Sequence, residues 1–229
     1  LKHLHHRRLL ITAGPTHEPI DAVRFIGNRS SGRLGVELAD RAAERGWPVT
    51  LLLGPTHLAP SDRRVEVCRY RTTHDLAVLL AEHQPACSVL VMAAAVADFR
   101  PILDPGVLEG KLKRSGEGLV LRLEATEDLL AACSARRTPG QFLVGFALEP
   151  RDRMLSSARD KLERKGIDLI VANPLETMEG QTIEAVVLGR DGSERRTDGA
   201  MDKREFGAWL LGVIEEKVEA PKARAQLKD

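Results

Sequence analysis

The 229-residue chain lacks the features that mark several broad classes of protein. Charge of one sign is not in surplus: 34 Lys and Arg stand against 33 Asp and Glu, a net charge of +1, which provides no field for gripping a nucleic-acid backbone. No apolar run approaches the ~20 residues of a bilayer-spanning helix, and the opening LKHLHHRR leads into no signal-peptide core. A soluble, cytoplasmic chain without membrane or nucleic-acid partners is therefore expected. The three cysteines, Cys68, Cys87 and Cys133, are odd in number and show no CxxC spacing. That argues against a disulfide framework or a zinc site, and all three read as small buried residues. His3, His5 and His6 read as a solvated tail.

Several catalytic signatures are also missing. There is no GxxxxGK[ST] phosphate loop, no GxSxG elbow and no HExxH pair. A nicotinamide GxGxxG turn is absent too, since Gly14 and Gly32 lie far apart with a polar loop between them. No internal repeat or linker divides the chain, so one domain over residues 1–229 is expected, with a charged tail at 221–229 that frays. The first residue is Leu, which fits either a processed start or a preceding domain.

What is present is an alternation of apolar strand-like runs with helical patterns, the signature of a parallel sheet covered by helices. Strands are expected at 9–13, 49–53, 65–70, 88–93, 119–123, 142–147 and 167–172, and helices at 31–45, 73–82, 151–165 and 202–218. Thr73 and Thr126 are expected to cap helices, and residues 183–197 to form a late hairpin. In the helix at 31–45 the polar face is assigned to Glu37, Asp40, Arg41 and Glu44. The result is a doubly wound, mainly parallel α/β fold of Rossmann-like type.

The stretch from Arg8 to Gly35 organises this pattern. A strand breaks at Ala13-Gly14-Pro15, and Asn28, Ser30, Ser31, Gly32 and Gly35 lead into a helix. Ser and Gly there leave the first helical N–H groups free to bind an anion. The topology would gather Asn28 and this turn with Asp98, with Lys111, Lys113 and Arg114 on a Pro/Gly/Lys-rich flap at 100–118, and with Lys161 and Lys165, which share a helix face at i, i+4. A carboxamide, an anion-binding turn, a carboxylate and several cations suit a nucleoside triphosphate and a second anion. Asp98 could hold Mg²⁺.

At these residues the chain resembles phosphopantothenoylcysteine synthetase, often the C-terminal half of a bifunctional flavoprotein. The matching blocks are ITAGPTHEPIDAVRFIGNRSSGRLG (11–35), AAAVADFRP (93–101), KLKR (111–114), VGFALE (144–149) and ARDKLERKGIDLIVAN (158–173). The resemblance implies that 4′-phosphopantothenate and CTP, with Mg²⁺, form an acyl-cytidylate that L-cysteine converts to an amide, in coenzyme A biosynthesis. It gives Asn28 and Lys111 catalytic roles, with Arg24, Ser30, Ser31 and Gly32 as further substrate contacts. Nucleotide contacts fall to Met92, Ala93, Ala94, Asp98, Lys111, Thr126, Glu127, Asp128, Leu129, Phe146, Lys161 and Lys165.

No flavin is expected on this domain. A homodimer through the late hairpin is expected, and so is fusion to or association with a phosphopantothenoylcysteine decarboxylase domain. Four positions depart from the family pattern: Arg114 stands for Lys, Glu127 for Pro, Pro150 for Thr and Pro174 for Asp. They leave open a nucleotide-binding domain that has lost catalysis. A nicotinamide oxidoreductase is a third reading.

Overall fold

The computed structural model of the chain describes residues 7–104, 106–113, 116, 118–178 and 180–225. The expectations for His3, His5, His6, Arg114 and residues 226–229 lie outside these. The elements run β1 (Leu9–Ala13), β2 (His17–Pro19), β3 (Phe25–Gly27), α1 (Arg33–Glu44), β4 (Val49–Leu53), β5 (Glu66–Arg69) and α2 (Thr73–His83). They continue with β6 (Val89–Met92), β7 (Phe99–Pro101), β8 (Leu123–Ala125), α3 (Leu129–Ala135), β9 (Phe142–Glu149), α4 (Met154–Arg164) and β10 (Leu169–Pro174). The last are β11 (Thr182–Ile183), β12 (Val186–Gly189), β13 (Glu194–Arg196), β14 (Met201–Asp202) and α5 (Lys203–Ala225).

An eight-stranded sheet in the order β13-β12-β10-β9-β6-β1-β4-β5 forms the centre. Its six strands from β10 to β5 are parallel, and β12 and β13 add an antiparallel edge. This is the doubly wound, Rossmann-like architecture. From β1 the chain moves outward to β4 and β5, then returns through α2 to β6 on the other side of β1. Connections leave in opposite directions at that point, which opens a crevice beyond the carboxyl ends of β1 and β6.

The apolar runs follow from burial on both faces. In β1, Leu9, Ile11 and Ala13 pack beneath α1 and α5, whereas Leu10 faces the cluster made with α2, α3 and α4. Gly35 brings α1 against the sheet, because a Cβ there would stand 2.4 Å from the Ala13 Cβ.

Several local expectations are corrected. Asp40 is buried rather than solvated, because Ser61 N, Ser61 Oγ and Asp62 N all donate to its carboxylate at 2.9–3.0 Å. Thr72, not Thr73, caps α2, in a reciprocal pair with Asp75. Asp128, not Thr126, caps α3 by accepting from Ala131 N at 3.1 Å. The strand expected at 119–123 forms at Leu123–Ala125, where it pairs with β7. Cys87 and Cys133 are buried, and burial pushes their thiols up to about 12 and about 11. Cys68 is half-buried, with its thiol 3.6 Å from His83 Nε2.

The late hairpin forms, but its apolar residues Val186, Val187 and Leu188 are buried within the chain's own core, and β13 exposes Glu194, Arg195 and Arg196. Among the described residues, no helix is long and apolar enough to cross a membrane.

Gly35→Ala should lose stability despite the better helix propensity of Ala. The propensity gain is about 1 kcal/mol, whereas overpacking against Ala13 costs about 1–3 kcal/mol. A lower urea midpoint is expected, and an unchanged or higher one would show that α1 can move away at no cost.

Candidate functional site

The crevice has a floor built by hydrogen bonds that extend the β1–β6 pairing past both strand ends. Ala93 N donates to Thr12 O at 3.1 Å, Ala95 N to Gly14 O at 2.9 Å and Thr16 N to Ala95 O at 3.2 Å. Two fully buried threonines add side-chain acceptors, Thr12 Oγ1 for Ala94 N at 3.1 Å and Thr16 Oγ1 for Ala97 N at 2.9 Å. Glu18, also buried, accepts from Thr73 N and Thr73 Oγ1 at 2.7 Å each, which ties the same loop to the start of α2.

On this floor lies a cleft of about 630 Å³. Asn28, Met92, Ala94 and Asp98 line it, together with Thr126, Glu127, Asp128 and Leu129. Phe146, Lys161 and Lys165 line it as well. Asn28 Nδ2 donates to Val96 O at 2.8 Å, so the carboxamide is fastened to the floor. Lys161 and Lys165, one helical turn apart, both face the cleft, and each is paired: Lys161 Nζ with Glu149 at 2.5 Å, Lys165 Nζ with Asp128 at 3.0 Å. Burial pulls both carboxyls upward, but hydrogen bonds outweigh it and hold them below their ordinary values. Those bonds come from Ala131 N–H and Lys165 at Asp128, and from Lys161 at Glu149. Among the described residues no group of three or more His, Cys, Asp or Glu side chains could hold a metal.

A second cavity of about 210 Å³ adjoins the first, sharing Arg29, Ala94, Ala95, Phe146, Leu148 and Met178. Ser30, Ser31, Gly32 and Ala93 line it. Gly32, at φ +73°, makes the turn into α1, and a Cβ built there would stand 3.3 Å from Gly14 Cα and N.

Three expected site residues among the described ones, Arg24, Lys111 and the exposed Lys113, stand apart from both cavities. Arg24 gives its guanidinium to Asp21, with Nε at 2.9 Å from Oδ2, and its Nη2 to Leu112 O at 3.1 Å. Asp21 Oδ2 also accepts from Leu112 N at 3.0 Å. Arg24 and the neighbouring N–H groups hold the fully buried Asp21 carboxyl well below the usual carboxylate range. Lys111 is exposed on the arm that this clasp anchors and lines neither cavity. Every other expected site residue lines one cavity or the other.

Residues 4–218 match the family described as DNA/pantothenate metabolism flavoprotein C-terminal domain. The chain belongs to that family. The chain is similar to the coenzyme A biosynthesis bifunctional protein CoaBC of Mycobacterium tuberculosis, 43% identical over 214 residues, which are 90% of this chain and 50% of that protein. A cysteine/cysteine sulfinic acid decarboxylase from an unknown prokaryotic organism is 45% identical over 76% of this chain and 47% of its own length. The chain thus spans about half the length of the curated relatives it matches. Among solved structures, the C-terminal domain of a CoaBC superposes with TM-score 0.80 at 31% identity, covering 95% of this chain and 98% of that one. A Cab2 variant in complex with phosphopantothenate-cysteine shares the fold, with TM-score 0.77 at 18% identity over 97% of this chain and 89% of its own.

Sequence reasoning about this flavoprotein-family chain missed Arg29, Asn173 and Lys203, which line the smaller cavity. Asn173 sat inside a quoted block, but Lys203 read only as the start of an amphipathic helix.

Asp21→Ala should free the arm. Leu112 N–H loses its acceptor, at about 1–3 kcal/mol for an orphaned buried group, so amide exchange at residues 110–113 should accelerate at least about tenfold. Unchanged exchange at Leu112 would show that the clasp does not hold the arm.

Proposed function

We propose that this chain is a ligase that joins 4′-phosphopantothenate to L-cysteine in coenzyme A biosynthesis, with CTP as the activating nucleotide. The observation that carries this reading is the convergence of Asn28, Asp98, Lys161 and Lys165, from three separate stretches of sequence, on one cleft at the β1–β6 crossover. Family membership supports it, as does the phosphopantothenate-cysteine bound to a Cab2 variant of the same fold. The decarboxylase name borne by one relative belongs to a chain of which this one covers 47%.

The chemistry has two halves. A carboxylate oxygen of the pantothenate attacks the α-phosphorus of CTP, the bond to the β-phosphate breaks, and pyrophosphate leaves. The cysteine amine then attacks the acyl carbon, CMP leaves with the bridging oxygen, and the amine loses a proton. Activation is required because a carboxylate resists nucleophiles, whereas CMP is a good leaving group.

Lys161 and Lys165 would exchange Glu149 and Asp128 for nucleotide phosphates, and Lys111 would add charge once the arm closes. Asp98 has no ion-pair partner among the described residues. One carboxylate fits Mg²⁺ that reaches the site with a nucleotide, since Mg²⁺ takes one or two protein carboxylates and fills its shell with phosphate oxygens and water. The ion would offset charge on the transferring phosphate. Asn28, fixed to Val96 O, would orient the acyl group for the amine.

The strand order is also that of dinucleotide-binding folds, but the link from β1 to α1 runs through residues 14–32 and carries the β2–β3 hairpin rather than a tight glycine turn. A homodimer remains part of the proposal, and a monomeric mass in solution would contradict it.

Pyrophosphate release should require CTP, Mg²⁺ and 4′-phosphopantothenate together, with amide appearing only when cysteine is added. Absence of release from folded, CTP-binding protein would favour a domain without catalysis. Asn28→Asp should keep CTP affinity within about threefold, less than 1 kcal/mol, yet slow amide formation, because a second carboxylate repels the substrate's own. Lys111→Gln should slow pyrophosphate release, and a wild-type rate would remove Lys111 from the first half-reaction.

A further inference from the structure

A third cavity, of about 190 Å³, meets the cleft along Thr126 and Glu127, which line both. Pockets for drug-sized ligands hold ~300–1,000 Å³, so this one suits a small metabolite rather than a nucleotide. Its rim is fastened to the same floor that holds Asn28. Thr126 N donates to Asp98 O at 3.0 Å and Thr126 Oγ1 donates to Ala97 O, while Asn28 is fixed to Val96 O. Three consecutive carbonyls thus set the carboxamide and the rim of the side cavity in one frame.

The side cavity holds charges of both signs. Arg100 donates to Glu124 across the β7–β8 pair through Nε, at 2.7 Å. Its two terminal nitrogens have no partner among the described residues, and the pair is half exposed, so it holds the guanidinium only weakly. Glu127, also exposed, has neither a hydrogen bond nor an ion pair among the described residues. Thr73, Ala77, Ala125 and Thr126 add small side chains, and His74 completes the lining.

A free carboxylate is out of place beside a polyanion, because like charges repel. It suits a cation. The open nitrogens of a guanidinium in the same cavity suit a carboxylate. A small molecule that carries an ammonium and a carboxylate on one carbon is an α-amino acid.

We propose that this side cavity is the amino-acid subsite of the ligase proposed above, on which the inference rests, with Glu127 taking the ammonium and Arg100 the carboxylate of L-cysteine. The ammonium gives one proton to water before attack, and the neutral amine still donates to the Glu127 carboxylate. Glu127 stands where the family pattern has Pro, so this anchor belongs to the chain itself.

Binding is tested without turnover. L-Cysteine is titrated into the protein under reducing conditions, and the backbone amides of residues 73–77 and 125–127 are followed by NMR. Cysteamine, which lacks the carboxylate, and 3-mercaptopropionate, which lacks the amine, serve as probes. Saturable shifts are expected with L-cysteine and weaker ones with either probe. Arg100→Met should bring L-cysteine down to the level of cysteamine, and Glu127→Gln to that of 3-mercaptopropionate. Absence of saturable shifts, or shifts that neither substitution alters, would overturn the subsite.

In turnover, Arg100→Met should raise the KM for L-cysteine roughly tenfold, as for loss of a charge-assisted hydrogen bond, with partial recovery in Arg100→Lys. The KM for cysteamine should not follow. Glu127→Gln should raise both. Turnover with every KM unchanged in these variants would overturn the subsite and leave the ligase standing. L-Cysteine binding there, by wild-type protein that releases no pyrophosphate, would sink the ligase reading and leave the amino-acid site standing.

Discussion

Thr12 and Thr16 hold together two chain segments that have both left their strands. Beyond β1 and β6, residues 12–16 and 93–97 remain paired through backbone bonds and two buried hydroxyls. Without those hydroxyls, the amides of Ala94 and Ala97 would face the 12–16 segment with no acceptor, a costly state inside a protein. The pairing fixes the floor of the crevice, and through Val96 O it fixes Asn28. Through the Thr16–Glu18 loop it reaches the start of α2, and through Asp21 the arm that carries Lys111. A cleft between elements far apart in sequence thereby gains one rigid reference.

Around that floor, charge is divided by position. Each cleft lysine on α4 is held in place by a carboxylate, which keeps it extended toward the cleft before any ligand arrives. These pairs are partly exposed, so solvent screens them and breaking them costs little. The smaller cavity shares Arg29 with the cleft and has Arg33 and Lys203, but no carboxylate, among its lining residues.

The strand framework was legible because burial on both faces leaves continuous apolar runs, as at Leu9–Ala13 and Val49–Leu53, whose limits match the expected ones. Lys161 and Lys165 were legible because helical spacing alone puts them on one face. The misread residues share one cause: partners distant in sequence. Asp40 looks solvated until Ser61 and Asp62 fold over it. Arg24 looks free for substrate until Asp21 and Leu112 claim it. Asp128 outcompetes Thr126 as a cap because Thr126 Oγ1 donates to Ala97 O instead. Lys203 has no local signal at all; only tertiary packing buries it without a counter-charge.

The central claim is that the carboxylate of the acyl substrate attacks phosphorus before it meets the amine. Heavy-oxygen label placed in both carboxylate oxygens of 4′-phosphopantothenate tests this directly, with CMP and amide analysed by mass spectrometry after turnover with cysteine. The account predicts one labelled oxygen in the CMP phosphate and the other in the amide carbonyl. Label-free CMP accompanying amide formation would contradict it, since the carboxylate would then have been activated by some route other than a bond to the nucleotide.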